Sequence, residues 1–215
     1  MKRYQRHVEI SPMYRKLVFI GLLLCLSTFA NGQRWPFELW HEGRVILLQG
    51  DTLKGMIKYD LQQDLVQFTR NDKTVEAFTA RKVLFFEIFD NTVHKYRQFY
   101  ALPYTTTGSY QVPIFFELLE DGKLTLLARE ALEQKTYSAG FYGGSYTRLE
   151  LVNSFYFLDE KGEITQFSGS RNDLLEIMGK KAENVERYIR ENRLKHNEKY
   201  DFAKIIAYYN TLSGS

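Results

Sequence analysis

The stretch QGDTLKGMIK, residues 49–58, holds Gly50 and Gly55 at the spacing that opens a phosphate-binding loop. Such a loop needs a lysine and a hydroxyl residue directly after the second glycine, and it must feed a helix whose N-terminal amides receive the anion. Met56 and Ile57 follow Gly55 instead, and the residues beyond them alternate with period two. Both requirements fail. The stretch reads as a hairpin, with a turn at Gly50-Asp51 and a strand glycine at Gly55.

Other fragments fall short in the same way. GGSYT, 143–147, has Thr147 where a nucleophile elbow around Ser145 needs a second glycine. His41-Glu42 would start a zinc motif only if position 45, which is Val45, were histidine. His41, His94 and His196 lie far apart, none with a second ligand at a metal spacing, and His94 is expected on a strand face with Tyr96 and Tyr100. No metal or cofactor is implied. The acids Asp121, Asp159, Glu160 and Glu163 flank turns, where solvated carboxylates belong; a glycosidase pair is set by distance in space and could be drawn from them.

The aromatic residues give the better lead. Tyr104, Tyr110, Phe141, Tyr142 and Tyr146 fall in or beside two segments, 103–113 and 135–148, that are rich in Pro, Gly, Ser and Tyr and read as irregular loops. Aromatic loop side chains on a rigid scaffold suit protein or carbohydrate recognition, because they supply contact area at low entropy cost. The five are candidate ligand or partner contacts. The alternative is that they fold back over an open end of a sheet.

The elements that must position these residues are mostly strands. From Gly43 to Phe167 the apolar residues alternate, as in Leu84, Phe86 and Ile88 against Phe85, Glu87 and Phe89, and turn signals such as Asp121-Gly122 separate the runs. About ten strand candidates at short spacing predict an antiparallel meander, closed as a barrel or stacked as a sandwich. The period changes after Gly169. Ser170 and Asp173 resemble a capping box; Leu174, Leu175 and Met178 form a stripe stopped by Gly179; Val185, Tyr188 and Ile189 mark a second helix; Asn197 caps a third bearing Phe202, Ile205, Ile206 and Tyr209. The chain is thus α+β, a β-rich domain over 33–168 with a unit of about three helices, 169–215, packed on it.

The first 32 residues read as a secretory signal. Basic residues from Lys2 to Lys16 precede the apolar run Leu17–Ala30, and small residues at Ala30 and Gly32 place cleavage before Gln33. The 14-residue run is shorter than the roughly 20 residues a spanning helix needs. Met13 opens a complete signal by itself, and Leu24 before Cys25 argues against lipidation. The leader holds five bases and one acid of the chain's 29 and 26, so the remainder carries 24 and 25, a net charge of −1. It shows no basic face of the kind nucleic acids require. Its sole cysteine leaves with the leader, so disulfides play no part in the mature chain.

GRVILLQGDTLKGMIKYD, FYFLDEKGEITQF, RNDLLEIMGKKAENVERYIRENRL and DFAKIIAYYNTL together resemble uncharacterised exported proteins of Gram-negative envelopes, in which a β-rich region closes with short C-terminal helices. The resemblance covers most of 43–212 and implies export to the periplasm or the outer-membrane periphery; it implies no catalytic residues. The expectation is a non-enzymatic envelope module that binds or assembles with an envelope protein or polysaccharide, without nucleic acid. The rival is a hydrolase of envelope polymers working through a carboxylate pair.

Overall fold

The structure, a computed structural model, describes residues 36–213 except 72, 109, 139, 141 and 142. The expected signal, Cys25, the expected cleavage point and the candidates Phe141 and Tyr142 lie outside the described residues.

Ten strands form one antiparallel sheet: β1 (His41–Leu47), β2 (Thr52–Asp60), β3 (Leu65–Thr69), β4 (Glu76–Thr79), β5 (Val83–Asp90), β6 (Lys95–Thr107), β7 (Tyr110–Glu120), β8 (Thr125–Ser138), β9 (Ser145–Leu158) and β10 (Ile164–Gln166). Their order is β10-β9-β8-β7-β6-β5-β1-β2-β3-β4. The sheet is open, so the expected barrel or sandwich is corrected to a single rolled sheet. The short link between β4 and β5 shows the roll. Four strand spacings of about 4.8 Å would put them about 19 Å apart if flat. The link from Thr79 to Val83 reaches at most about 14 Å.

The glycines of the opening hairpin allow the curl. Gly43 and Gly55 are register partners on the inner face. A Cβ on Gly43 would lie 2.0 Å from the Glu87 carbonyl oxygen, and one on Gly55 would lie 2.5 Å from that of Thr69. No other residue fits so close to a neighbouring backbone. The predicted hairpin is present, its turn closed by hydrogen bonds from the Gly50 N–H to Leu47 and from the Leu47 N–H to Asp51, both 2.9 Å.

Inside the roll Phe86 and Phe99, cross-strand partners, stack at 4.6 Å, and Phe115 meets Phe86 edge-on. Tyr59 from β2 touches all three rings. Burial, and then the charge of Asp64 that its hydroxyl bonds, push the Tyr59 phenol well up.

The same sheet face continues through Glu117, Ala128 and Phe155, which stand in register across β7, β8 and β9, and there helices cover it. The helical unit has two continuous runs rather than three separate helices. α1 (Arg171–Met178) passes through a 3₁₀ turn, Gly179–Lys181, directly into α2 (Ala182–Glu191), and α3 (Lys199–Ser213) is the second run. Gly179 bends the first run instead of stopping it, with φ at 52° and its N–H capping Glu176 and Leu175. Ser170 caps α1 as expected, accepting from the Asn172 N–H. Asn197 lies one residue outside the cap of α3, since the Phe202 N–H bonds the Glu198 carbonyl. The stripe docks on the sheet: Phe202, Ile205 and Ile206 are fully buried, and Phe202 packs against Phe155, Phe157 and Phe167. Asn210 clasps the β7–β8 turn, donating to the Leu124 carbonyl and accepting from its N–H, both at 3.0 Å. Among the described residues no helix is long and apolar enough to cross a membrane.

Within the expected loops 103–113 and 135–148, residues 103–107, 110–113, 135–138 and 145–148 are corrected to strand, the ends of the β6–β7 and β8–β9 hairpins. Their turn-rich composition hid them, and exposure of both faces over much of their length removes the alternation by which a strand is read.

Candidate functional site

Two arrangements stand out: a charge cluster where the rolled core meets the helix-covered one, and the two ribbons beyond it.

The cluster is assembled from Asp90 at the end of β5, Arg97 on β6, Glu117 on β7, Glu130 on β8 and Lys199, the first residue of α3. None of the five side chains is more than 10% exposed. Arg97 clamps Glu117 with both arms, Nε to Oε1 at 2.9 Å and Nη2 to Oε2 at 2.7 Å, and also reaches Glu130 at 2.9 Å and Asp90 at 3.1 Å. Lys199 Nζ bonds Glu117 and, at 2.7 Å, Glu130. Thr92 donates to Asp90 from its hydroxyl at 2.6 Å and from its N–H at 2.9 Å. Burial works to raise the Glu130 carboxyl, but the charges of Arg97 and Lys199 outweigh it and hold the group below its ordinary range. Burial likewise opposes ionisation of Asp90, and the Thr92 and Arg97 hydrogen bonds override it, so Asp90 also moves down. For Arg97, burial is outweighed by Glu117 and Glu130, and its guanidinium moves further up.

Above the cluster lies an open cleft of about 550 Å³, lined in part by Asp90, Arg97, Glu130, Asn153, Lys199 and Tyr200. Asn153 Oδ1 is buried there without a hydrogen-bond partner. The cleft brings the carboxylates of Asp90 and Glu130 close together, but both are already held by Arg97. Among the described residues no group of three or more His, Cys, Asp or Glu side chains is arranged to hold a metal ion.

The ribbons part for a local reason. Pro103 and Pro113 stand opposite each other in β6 and β7. Neither has an N–H, so theirs is a non-hydrogen-bonded pair, and Pro113 turns its bare nitrogen toward β8. The Phe115 carbonyl, two residues on, is taken at 2.6 Å by Arg129 Nη1. β7 and β8 therefore pair only from Glu117 to Glu120, whereas β8 and β9 stay paired from Thr125 to Ser138. Beyond Arg129 the β7-facing edge of β8 has no strand partner among the described residues, and Ala131, Glu133, Gln134, Lys135 and Thr136 are exposed.

The sequence candidates divide accordingly. Tyr104 folds back, edge-on to Phe116 and Tyr156. Tyr110 is 70% exposed at the tip of the first ribbon, and Tyr146 is 54% exposed on the second, stacked on Tyr137 at 5.6 Å. Two of the candidate acids cap turns: Asp121 accepts from the Gly122 N–H, and Asp159 from those of Lys161 and Glu163. His94 is corrected from a strand face to a turn, with φ at 52°; His41 is buried on β1; His196 sits against Phe167. Sequence reasoning missed Asp90, Arg97, Glu117, Glu130 and Lys199. One signal was available: Arg97, Glu117 and Glu130 sit in phase with Phe99, Phe115 and Ala128, charges at core positions of their strands.

A scan of protein-family models and searches of curated proteins and of solved structures found no match to the chain.

Proposed function

We propose that this chain is a non-enzymatic, exported component of the cell envelope, a binding or assembly module that receives an extended polypeptide segment along the open edge of the β8–β9 ribbon. One observation carries the reading. A two-stranded ribbon is marginal alone in water, and a bare strand edge is a template for another strand. This ribbon extends about ten residues past its last pairing with β7. Strand addition satisfies such an edge by main-chain hydrogen bonds and reads the partner through alternate side chains, and Tyr137 and Tyr146 stack on the ribbon that carries it.

The leader motif supports export. At Glu130 the hydrolase alternative lacks its acid, because a glycosidase acid must hold its proton, whereas Arg97 and Lys199 hold Glu130 as a carboxylate. The test is a photo-crosslinking residue at Gln134, on the open edge, compared with one at Lys180 on the helical unit, in protein made in the native envelope. Crosslinks to a defined partner strand from 134 and not from 180 support the reading. Equal labelling from both positions, or none from 134, overturns it.

A further inference from the structure

The outer face of β1, β2, β5 and β6 carries a row of paired side chains that none of the buried clusters uses. Three cross-strand partners follow one another along β5 and β6: Phe85 with Tyr100, Glu87 with Gln98, and Phe89 with Tyr96. The first pair stacks at 5.3 Å and 22°, and the last meets edge-on at 5.0 Å. Between them Gln98 Nε2 donates to Glu87 at 2.8 Å, and Arg44 Nε binds the other oxygen of Glu87 at 3.2 Å while its guanidinium lies over Phe85. A shallow hollow of about 510 Å³ opens here, lined in part by Glu42, Arg44, Lys54, Glu87, Phe89 and Tyr96. Tyr96 is 69% exposed.

We propose that this row binds a linear, uncharged glycan chain. A pyranose ring has an apolar face of C–H groups and a rim of hydroxyls. It needs a flat aromatic surface beneath it and, at its edge, fixed groups that both donate and accept. Tyr96 offers an exposed ring, and the Arg44–Glu87–Gln98 group beside it carries fixed donors and acceptors. The Phe85–Tyr100 pair stands four residues further along the strand, about 13 Å away, within reach of the next sugar unit. The charges decide against an ionic ligand: Arg44 and Lys54 are balanced by Glu42 and Glu87. The same charges decide against an apolar one. The polar groups are held by one another, so they present hydroxyl-binding atoms in fixed directions and lose little entropy on contact. The row lies on different strands from the β8 edge, so it stands independently of the function proposed above.

The test is calorimetric titration of the 33–215 chain with cellohexaose, chitohexaose and maltohexaose. At least one should bind with Kd of about 1 mM or below. Tyr96→Ala should weaken that binding about tenfold. Tyr96→Phe keeps the aromatic face and should retain it, and Arg44→Ala should weaken it again. Melting temperatures of the variants are measured beside the parent's, and a loss of binding without a fall in melting temperature is a loss of contact. Failure of all three glycans to bind at several millimolar overturns the proposal. So does binding that Tyr96→Ala and Arg44→Ala leave unchanged, and so does crosslinking from position 96 to a protein without glycan binding.

Discussion

One face of one sheet is buried in two different ways. Across β1–β7 it rolls up and buries itself, with Tyr59 reaching four strands along the sheet to Phe115. Across β8–β10 it stays open and is closed by α1–α3, with Phe202 among Phe155, Phe157 and Phe167. The difference is one of curvature. The rolled half has a glycine pair at its tightest point, where any Cβ would strike a neighbouring carbonyl. The helical half has no such pair, so its aromatic residues need an external lid. The charge cluster lies at the change-over, where rolled sheet and helix lid leave a gap that neither fills with apolar side chains.

The strongest way to break this comparison is to remove the lid. Full burial of each of Leu174, Phe202, Ile205 and Ile206 is worth about 1.5–3 kcal/mol, together comparable with a domain's whole net stability of about 5–15 kcal/mol. Truncation after Gly169 should therefore abolish the cooperative urea transition of the helical half and produce strong binding of ANS. An unchanged melting temperature without dye binding would show the helices to be a tethered arm.

The next effect belongs to the cluster. Arg97→Ala leaves Asp90, Glu117 and Glu130 short of a cation and should cost about 3–5 kcal/mol in urea unfolding. The double variant Arg97→Met, Glu117→Leu should recover part of that loss, because it removes one of the carboxylates left without Arg97 while Lys199 still holds Glu130. No recovery would mean that the cluster holds the two halves in register rather than filling a gap.

Acid sharpens the same point more gently. Asp90 and Glu130 bind their protons less tightly folded than unfolded, so the unfolded chain takes up more protons as the pH falls. Their contribution is fully present above the ordinary carboxyl values of 3.8 and 4.5, and it is lost as the pH drops through these toward the lower folded values. Stability should thus decline below about pH 4.5, and Glu130→Gln should flatten the decline. An equally steep acid limb in that variant would place the sensitivity elsewhere.

The smallest expected effect is at the lid's far end. Asn210→Ala removes the clasp on the β7–β8 turn and should cost about 1–2 kcal/mol. Hydrogen exchange should quicken at Leu124 and along the last turns of α3 while the Phe86–Phe99 core stays protected. Uniform quickening would mean that the two halves unfold as one.

Much of this fold was legible in the sequence. Alternation in Leu84–Phe89 marks a strand with one face inward, and Phe202, Ile205 and Ile206 recur at helical spacing, because both patterns record burial by neighbours close in the chain. The ribbons at 103–113 and 135–148 left no such record, since exposure of both faces over much of their length erases the alternation, and Pro, Gly and Ser there imitate a loop. The cluster was visible only as misplaced charge: Arg97, Glu117 and Glu130 each occupy a position that its strand reserves for the core. Their partnership was invisible, because Lys199 stands 82 residues from the Glu117 it binds.

Local order in this protein was therefore determined by the sequence alone: the hairpin at Gly50, the strands' inward faces, the cap at Ser170, the stripe on α3. Closure was decided by the tertiary structure. Whether ten strands become a barrel, a sandwich or a half-rolled sheet depends on a few positions acting between strands. Gly43 and Gly55 let backbones approach, and Pro113 denies β8 a donor. Each is one residue whose consequence lies on a neighbouring strand, and pattern along a chain cannot carry information about what stands across it.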